Sequence, residues 1–498
     1  MARAWARLVG FSAILLIWGW GDARAASPAA PSAPVLWSDP VNLSDTPESS
    51  SHPAIVADAY GYVHVFWSEE VGGKPMRPQE PLKNGNTIFY TRWDGDAWIP
   101  PVDVLFVPGD DVAEFISVAL DPQNRLHAVW TGQTNIYYSH APAWKADSGH
   151  AWSKPITLST DSARSMYESH IAADASGGLH VVYATRFKEP GVYYTRSLDG
   201  GINWQSAIRL SAPLEEPETS VSHVQIITDQ AGRLHAVWQT NQQQGYGQAV
   251  YYARSVNGGE EWSPPLLIAY REPEDFSVDW PYLTAVGESV LHLIYSDGPR
   301  PWRFHRLSTD AGETWSEPTH ILTELEGTAG YTIPVADAAG QVHLLIDMRT
   351  IETQVGGIYY ARWLGDQWSQ PEPVLVSDPI LGSAHFMAAA LRLGNELHIV
   401  WNDIAGGDIG YMQGVISAVT PLSPLAPPSE TPPPVTPTAT QPAPAVITPE
   451  PKATAEPVTF TFTDPPPTLT TNVPLILGSG TALLLVAGVV LWVRMRAS

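Results

Sequence analysis

The apolar positions of this chain fall into short runs separated by polar turn signals, and one five-residue run recurs seven times with His in second place. The copies are Val63-His64-Val65-Phe66-Trp67, Leu126-His127-Ala128-Val129-Trp130, Leu179-His180-Val181-Val182-Tyr183, Leu234-His235-Ala236-Val237-Trp238, Leu291-His292-Leu293-Ile294-Tyr295, Val342-His343-Leu344-Leu345-Ile346 and Leu397-His398-Ile399-Val400-Trp401. Their histidines lie 63, 53, 55, 57, 51 and 55 residues apart. A period of that size marks an array of small sheets that share one core, as in a propeller or solenoid.

Each copy sits inside a unit of four strand-like segments. An apolar stretch precedes it and ends in a turn with Asp first and Gly fourth, as in Asp58 to Gly61, Asp174 to Gly177, Asp229 to Gly232 and Asp337 to Gly340. That placement suits a type I turn. After the motif come a variable loop and a third β-rich run such as Ile88-Phe89-Tyr90 or Val250-Tyr251-Tyr252. A fourth segment opens with Trp, at Trp98, Trp152, Trp204, Trp262, Trp315 and Trp368. The seventh such segment, Trp37 to Ser44, lies at the front of the chain, while the last unit stops after its third strand near Tyr411. The pattern predicts an all-β, seven-bladed β-propeller over residues 35–416, closed by the N-terminal strand pairing with the segment around Ile409 to Tyr411. Closure covers the edges that an open array exposes.

The ends add a predicted topology. Leu8 to Trp20 is a short apolar core behind Arg3 and Arg7, followed by Ala23-Arg24-Ala25, which reads as a signal peptide over residues 1–25. Sixteen prolines between Pro421 and Pro467 predict an extended, disordered Pro/Thr-rich stalk over residues 417–472. Val473 to Val493 gives 21 residues without a charge, long enough for a transmembrane helix, and Arg494 and Arg496 follow in a cytoplasmic tail over residues 494–498. The expected location is therefore the cell membrane, single-pass, with the propeller extracellular.

A net charge of −24 without a basic tract excludes nucleic acid as a partner. The chain has no Cys, so neither disulfides nor thiolate metal sites are available. Packing must supply the stability, and 20 Trp and 19 Tyr can bury large areas. No cofactor is expected, and no metal, because equivalent histidines on second strands stand too far apart to meet at one ion.

Four turns between third and fourth strands carry Asp/Asn-x-Gly-x-x-Trp, at Asp147 to Trp152, Asp199 to Trp204, Asn257 to Trp262 and Asp310 to Trp315, three of them with Ser197, Ser255 or Ser308 two positions earlier. Shorter forms occur at Trp93 to Trp98 and Trp363 to Trp368. This resembles the Asp-box, or bacterial neuraminidase repeat, of sialidase-like propellers. The resemblance implies a structural role for these hairpins, on the face opposite the active site. It covers the propeller and departs from sialidases in blade number, seven against six, and at Ser51 to Ile55, where no Arg stands for the first member of the substrate clamp.

Residues found in every blade serve the repeat, whereas a binding or catalytic constellation has to break the symmetry. The seven motif histidines are therefore read as structural and hydrogen-bonded between blades. Ligand chemistry is expected on the opposite face, where first strands begin. His52, His170, His223 and His385 stand there, with Phe115, Trp280 and Tyr331 in the other three units. Such a ring either stacks on sugars or plugs the channel. Symmetry-breaking charges follow the second strands at Glu69, Glu70, Arg186, Asp297, Asp347, Arg349 and Asp403.

The reading favoured is an extracellular, surface-anchored propeller that binds a glycan or protein ligand through His52, His170, Arg186, His223, Trp280, Tyr331, Arg349, His385 and Asp403. The alternative is a sialidase-like exo-glycoside hydrolase, with Tyr331, Glu69, Asp297 and Asp347 as catalytic candidates and Arg186, Arg271, Arg300 and Arg349 available as a clamp. Against it, the same loops are rich in carboxylates that repel an anionic sugar. A third reading is a structural or interaction module of the cell envelope.

Overall fold

Seven antiparallel sheets, six of four strands and one of five, surround one axis in a computed structural model of the chain. It describes residues 35–71, 85–107, 109–159, 166–185, 189–214, 218–242, 245–272, 277–298, 302–325, 328–349, 356–376, 384–403 and 407–428. The predicted signal, the Pro-rich segment beyond residue 428 and the predicted span Val473 to Val493 lie outside these residues. No described helix is long and apolar enough to cross a membrane.

Blades 1 to 6 begin at Ser50, Glu114, Met166, Glu218, Val278 and Thr328, and each runs from its innermost strand outward in chain order. Blade 7 has Ala384–Arg392, Glu396–Asp403 and Asp408–Ile416, and its outer strand comes from the N-terminus. Val35, Leu36 and Trp37 face Ile416, Val415 and Gly414, and Val41 and Asn42 face Tyr411 and Gly410. The ring therefore closes as the displaced seventh segment predicts. Residues 417–428 then run on across the seam: the Leu422 N–H donates to the Leu393 carbonyl and the Leu425 N–H to the Ala59 carbonyl, each at 2.8 Å.

The motif runs are continuously apolar because a second strand is covered on both faces by neighbouring blades. Leu234–Gln242 is buried at every position. The fourth-strand Trp of each blade reaches back onto the preceding one, with ring centroids 4.9 Å apart for Trp204 on Tyr138 and for Trp262 on Tyr194. Both sides of the seam obey the rule: Trp98 of blade 1 meets Tyr411 of blade 7 at 4.8 Å, and Trp37 meets Tyr360 of blade 6 at 5.8 Å.

The motif histidines are bonded inside their own blades, not between blades as the repeat suggests. In six of them Nδ1 lies 2.7–2.8 Å from a third-strand Tyr hydroxyl: Tyr90, Tyr138, Tyr194, Tyr252, Tyr360 and Tyr411. In five, Nε2 faces the Asp of the preceding turn at 3.1–3.3 Å, as for His127 with Asp121 and His235 with Asp229. A carboxylate only accepts, so Nε2 carries the proton and the Tyr hydroxyl donates to Nδ1. Burial by itself raises the Asp121 carboxyl, but hydrogen bonds from His127 and Arg125 outweigh it and hold the group well below the usual range. The link between blades is the Tyr. Any Cβ at Gly201 or Gly259, both at positive φ, would strike the hydroxyl of Tyr138 or Tyr194, so the hairpin needs Gly to close over its neighbour.

Candidate functional site

All seven innermost strands carry a register break near their start: Ser51/Ala54, Glu114/Ser117, Met166/Ser169, Ser222/Gln225, Asp279/Tyr282, Ala329/Thr332 and His385/Ala388. The first residue of the bulge is left-handed in five blades, at His52, Phe115, His223, Trp280 and Phe386, with φ between 47° and 54°. Holding a non-Gly residue there costs about 1–3 kcal/mol, and such strain collects where function is built. A bulge also shifts which side chain faces which side. Phe386, rather than His385, is thus the counterpart of His52, and in blade 3 Glu168, rather than His170, is the counterpart of Pro53 and Tyr331.

The bulge residues form a belt around the axis. His52 sits between Phe115 and Phe386, with centroids at 4.1 and 4.2 Å, and Tyr331 follows Phe386 at 5.4 Å. These contacts favour the plug over an open ring of ligands for His52. His223 of blade 4 lies 6.3 Å from Trp280 of blade 5 and, skipping that blade, 6.4 Å from Tyr331 of blade 6. Inside the belt is an axial cavity of about 300 Å³.

Polar side chains in this cavity cap the free inner edge of the following blade. Ser117 Oγ accepts the Ile171 N–H at 3.2 Å, His170 Nδ1 the Ile226 N–H at 3.4 Å, Gln225 Oε1 the Leu283 N–H at 2.7 Å, and Glu168 Oε2 the His223 N–H at 2.5 Å. Innermost strands have no further partner, so these bonds answer the backbone's demand. Burial raises the Glu168 carboxyl to about 7, against the pull of the amides it accepts, and lowers the His170 imidazole to about 4.

The proposed catalytic carboxylates stand on blades 1, 5 and 6, each in a different setting. Glu69 is buried, its Oε2 accepting from Ser50 Oγ at 2.6 Å and Trp67 Nε1 at 2.7 Å. Asp297 pairs with Arg271 at 2.5 Å. Asp347 is buried beside Arg303, whose guanidinium burial lowers to about 10 while the Asp347 charge draws it back up. Arg303 NH2 donates to the Asp347 carbonyl at 2.8 Å and its Nε to Thr332 Oγ1 at 2.9 Å, so the pair ties blade 5 to blade 6. Asp403 ends a second strand, accepting the Gly407 N–H on its carbonyl at 2.8 Å. Arg186 and Arg300 lie outside the described residues. Arg349 and His385 are placed as strand positions opposite Thr328 and Asn402.

A second cavity, about 320 Å³, opens between blades 4 and 5 beside His223 and Trp280. Its wall is a polar ladder that the sequence reading did not single out. Gln239 Nε2 donates to Asn241 Oδ1 at 2.8 Å and Asp279 Oδ1 at 3.0 Å, and Gln239 Oε1 accepts the Trp280 N–H at 2.8 Å. Asn241 Nδ2 donates to Ser222 Oγ at 3.0 Å and Ser220 Oγ at 3.2 Å. The Gly247 N–H binds Asp279 Oδ1 at 3.0 Å. Tyr246, 59% exposed, stands at the rim. The signal was present in the sequence: this copy of the motif alone continues into Gln239-Thr240-Asn241-Gln242, four uncharged polar residues in succession. Fixed amides and hydroxyls beside aromatic rings suit the hydroxyl edges and C–H faces of a sugar.

No family profile and no curated protein sequence matches this chain. Solved structures do match its fold. An ulvan lyase of polysaccharide lyase family PL25 superposes with a TM-score of 0.52 at 11% identity, covering 76% of this chain and 96% of the lyase. A protein of unknown function from Dyadobacter fermentans gives 0.50 at 14% identity, over 76% of this chain and 99% of its own. An intramolecular trans-sialidase from Ruminococcus gnavus gives 0.43 at 12% identity, over 76% and 98%. At these identities the likeness is one of fold.

Proposed function

We propose that this chain is a carbohydrate-binding propeller, of the Asp-box type, that takes an uncharged glycan in the cleft between blades 4 and 5. The observation that carries the reading is the Gln239, Asn241, Ser222 and Asp279 ladder, a pre-organised set of donors and acceptors opening beside Trp280 and Tyr246. The lyase with the same fold acts on a polysaccharide by its name, which supports a carbohydrate ligand, though its bound sugars are charged. Neutral ligands are favoured because Asp279 lines the cleft and the chain carries a net charge of −24, both of which repel anionic sugars. Glu69 is bonded to Ser50 and Trp67 and Asp297 to Arg271, which speaks against their use as an acid and base pair, and the binding reading requires no turnover. The apolar segments at Leu8 to Trp20 and Val473 to Val493 support export and a membrane tether, with the propeller outside.

The test is an array of immobilised neutral and sialylated oligosaccharides read with the purified propeller. Binding to neutral glycans that is lost in Asn241→Ala, with the melting temperature monitored for both proteins, is expected. Binding confined to sialylated glycans, or sialic acid release abolished by Tyr331→Phe, would overturn the reading in favour of the hydrolase.

A further inference from the structure

His223 is a wall of both cavities. On one side it meets the cleft with Trp280 and Asn241, and on the other the axial cavity with Glu168 and Tyr331. The aromatic belt is tight from Phe115 through His52 and Phe386 to Tyr331, 4.1–5.4 Å between centroids, and His223 of blade 4 lies 6.3 Å from Trp280 of blade 5 and 6.4 Å from Tyr331 of blade 6. His223 therefore stands between the cleft and the axis.

The axial cavity is amphipathic. Blade 3 lines it with Glu168, Ser169 and His170, whereas the far wall from blades 6 and 7 is Ile333 and Ala389. Ser169 is 6% exposed and its Oγ has no hydrogen-bond partner among the described residues, an arrangement that burial penalises unless a ligand supplies one. His170 is neutral and accepts the Ile226 N–H on Nδ1, which leaves the proton on Nε2 as a donor. Blade 1 lines the cavity with His52 to Ile55 and blade 7 with Phe386 to Ala389. At about 300 Å³ it falls at the small end of ligand pockets, which run roughly 300–1,000 Å³.

We propose that the axial cavity is a second saccharide subsite, which receives the terminal ring of the glycan whose next units occupy the cleft, so that the propeller reads chain ends. A sugar ring matches the site, with hydroxyls toward Ser169 and His170 and a C–H face toward Ile333 and Ala389. The inference rests on the cleft being the glycan site, and the test separates the two.

Neutral oligosaccharides coupled through one end are presented to wild type, Asn241→Ala, Ala389→Leu and Ser169→Ala, with the melting temperature of each recorded. Ala389→Leu fills the cavity and should weaken binding at least about tenfold, and Ser169→Ala, which adds no volume, several-fold. The terminal monosaccharide alone should compete with wild type. If Ala389→Leu melts early, Ser169→Ala decides. Full affinity in Ser169→Ala, together with loss in Asn241→Ala, overturns the axial subsite and leaves the cleft reading standing. Unchanged binding in all three variants overturns both.

Discussion

Histidine is used in opposite ways on the two faces of the propeller. Toward the base it recurs in every blade, in six of them with Nδ1 on a Tyr hydroxyl and in five with Nε2 facing a turn Asp, as in Asp229, His235 and Tyr252. At the loop face His52, His170 and His223 each have a different setting: between two phenylalanines, bonded to a strand amide, and dividing two cavities. The repeated set holds the blades to one shape, and the varied set is where one part of the ring becomes unlike the rest. Blade 5 shows the limit of the rule. There His305 replaces the Tyr, 3.0 Å from His292, and burial lowers the two imidazoles to about 4 and about 3, so both stay neutral beneath Trp363 and Trp368 of blade 6.

The largest expected effect removes both faces at once. Deleting residues 35–44 takes away the outer strand of blade 7 and the Trp37 contact with Tyr360, leaving the Leu425 bond to Ala59 and the packing of Trp98 on Tyr411 to span the seam. The edge of Asp408–Ile416 is then bare, and the ring has lost its closure. Cooperative thermal unfolding should disappear. A deleted protein that still melts in one sharp transition within a few degrees of the full chain would show that the seam contributes little.

How much of this contrast could be seen in the sequence follows from the same distinction. A seven-fold repeat is legible because each copy tests the others: the His spacing, the Trp opening each fourth segment and the displaced Trp37 all gave blade number and closure. The mouth of the axis was read one residue out in blade 7, His385 for Phe386, because a bulge inserts a residue without any compositional mark. Glu168 was visible as one carboxylate among many; only burial by blade 4 sets it apart. The candidate carboxylates Glu69 and Asp347 follow equivalent strands, but whether such a side chain turns to solvent or between blades depends on its neighbours. The Gln239 to Gln242 run was a legible signal, and it becomes chemistry only when Asp279 of the next blade is brought beside it.

Glu168 sharpens the comparison through pH. Its folded pKa is raised, by burial, to about 7 from 4.5, so it contributes stability that is fully present below pH 4.5 and is lost as pH rises through 7. The swing is up to about 3 kcal/mol. Base carboxylates have the opposite sign: Asp229 and Asp337 are lowered, despite burial, by bonds from Arg233, His235 and His343, and their stabilisation is lost as pH falls below about 4. Neutral buried histidines add to that acid loss below about 6.5. The whole-protein curve mixes these, but the difference in unfolding free energy between wild type and Glu168→Gln isolates the Glu168 part. It should fall between pH 4.5 and 8, and a flat difference would mean that the carboxyl ionises freely in the channel.

The smallest effects come from a pair of tyrosines, one on each face, and they should dissociate stability from binding. Tyr252 is buried, donates to His235 Nδ1 at 2.7 Å and packs on Trp315 at 5.1 Å. Tyr252→Phe keeps the ring but leaves the imidazole acceptor unpaired, so it should cost about 1–3 kcal/mol of unfolding free energy and leave glycan affinity unchanged. Tyr246 is 59% exposed at the rim of the cleft. Tyr246→Ala should change stability by no more than about 0.5 kcal/mol, as exposed substitutions usually do, while weakening glycan binding by about 0.5–1.5 kcal/mol through loss of a stacking face. Denaturant melts and titration of the same two variants check both halves. If Tyr252→Phe weakens binding as much as Tyr246→Ala does, the faces are energetically coupled and the division of labour between base and loops fails.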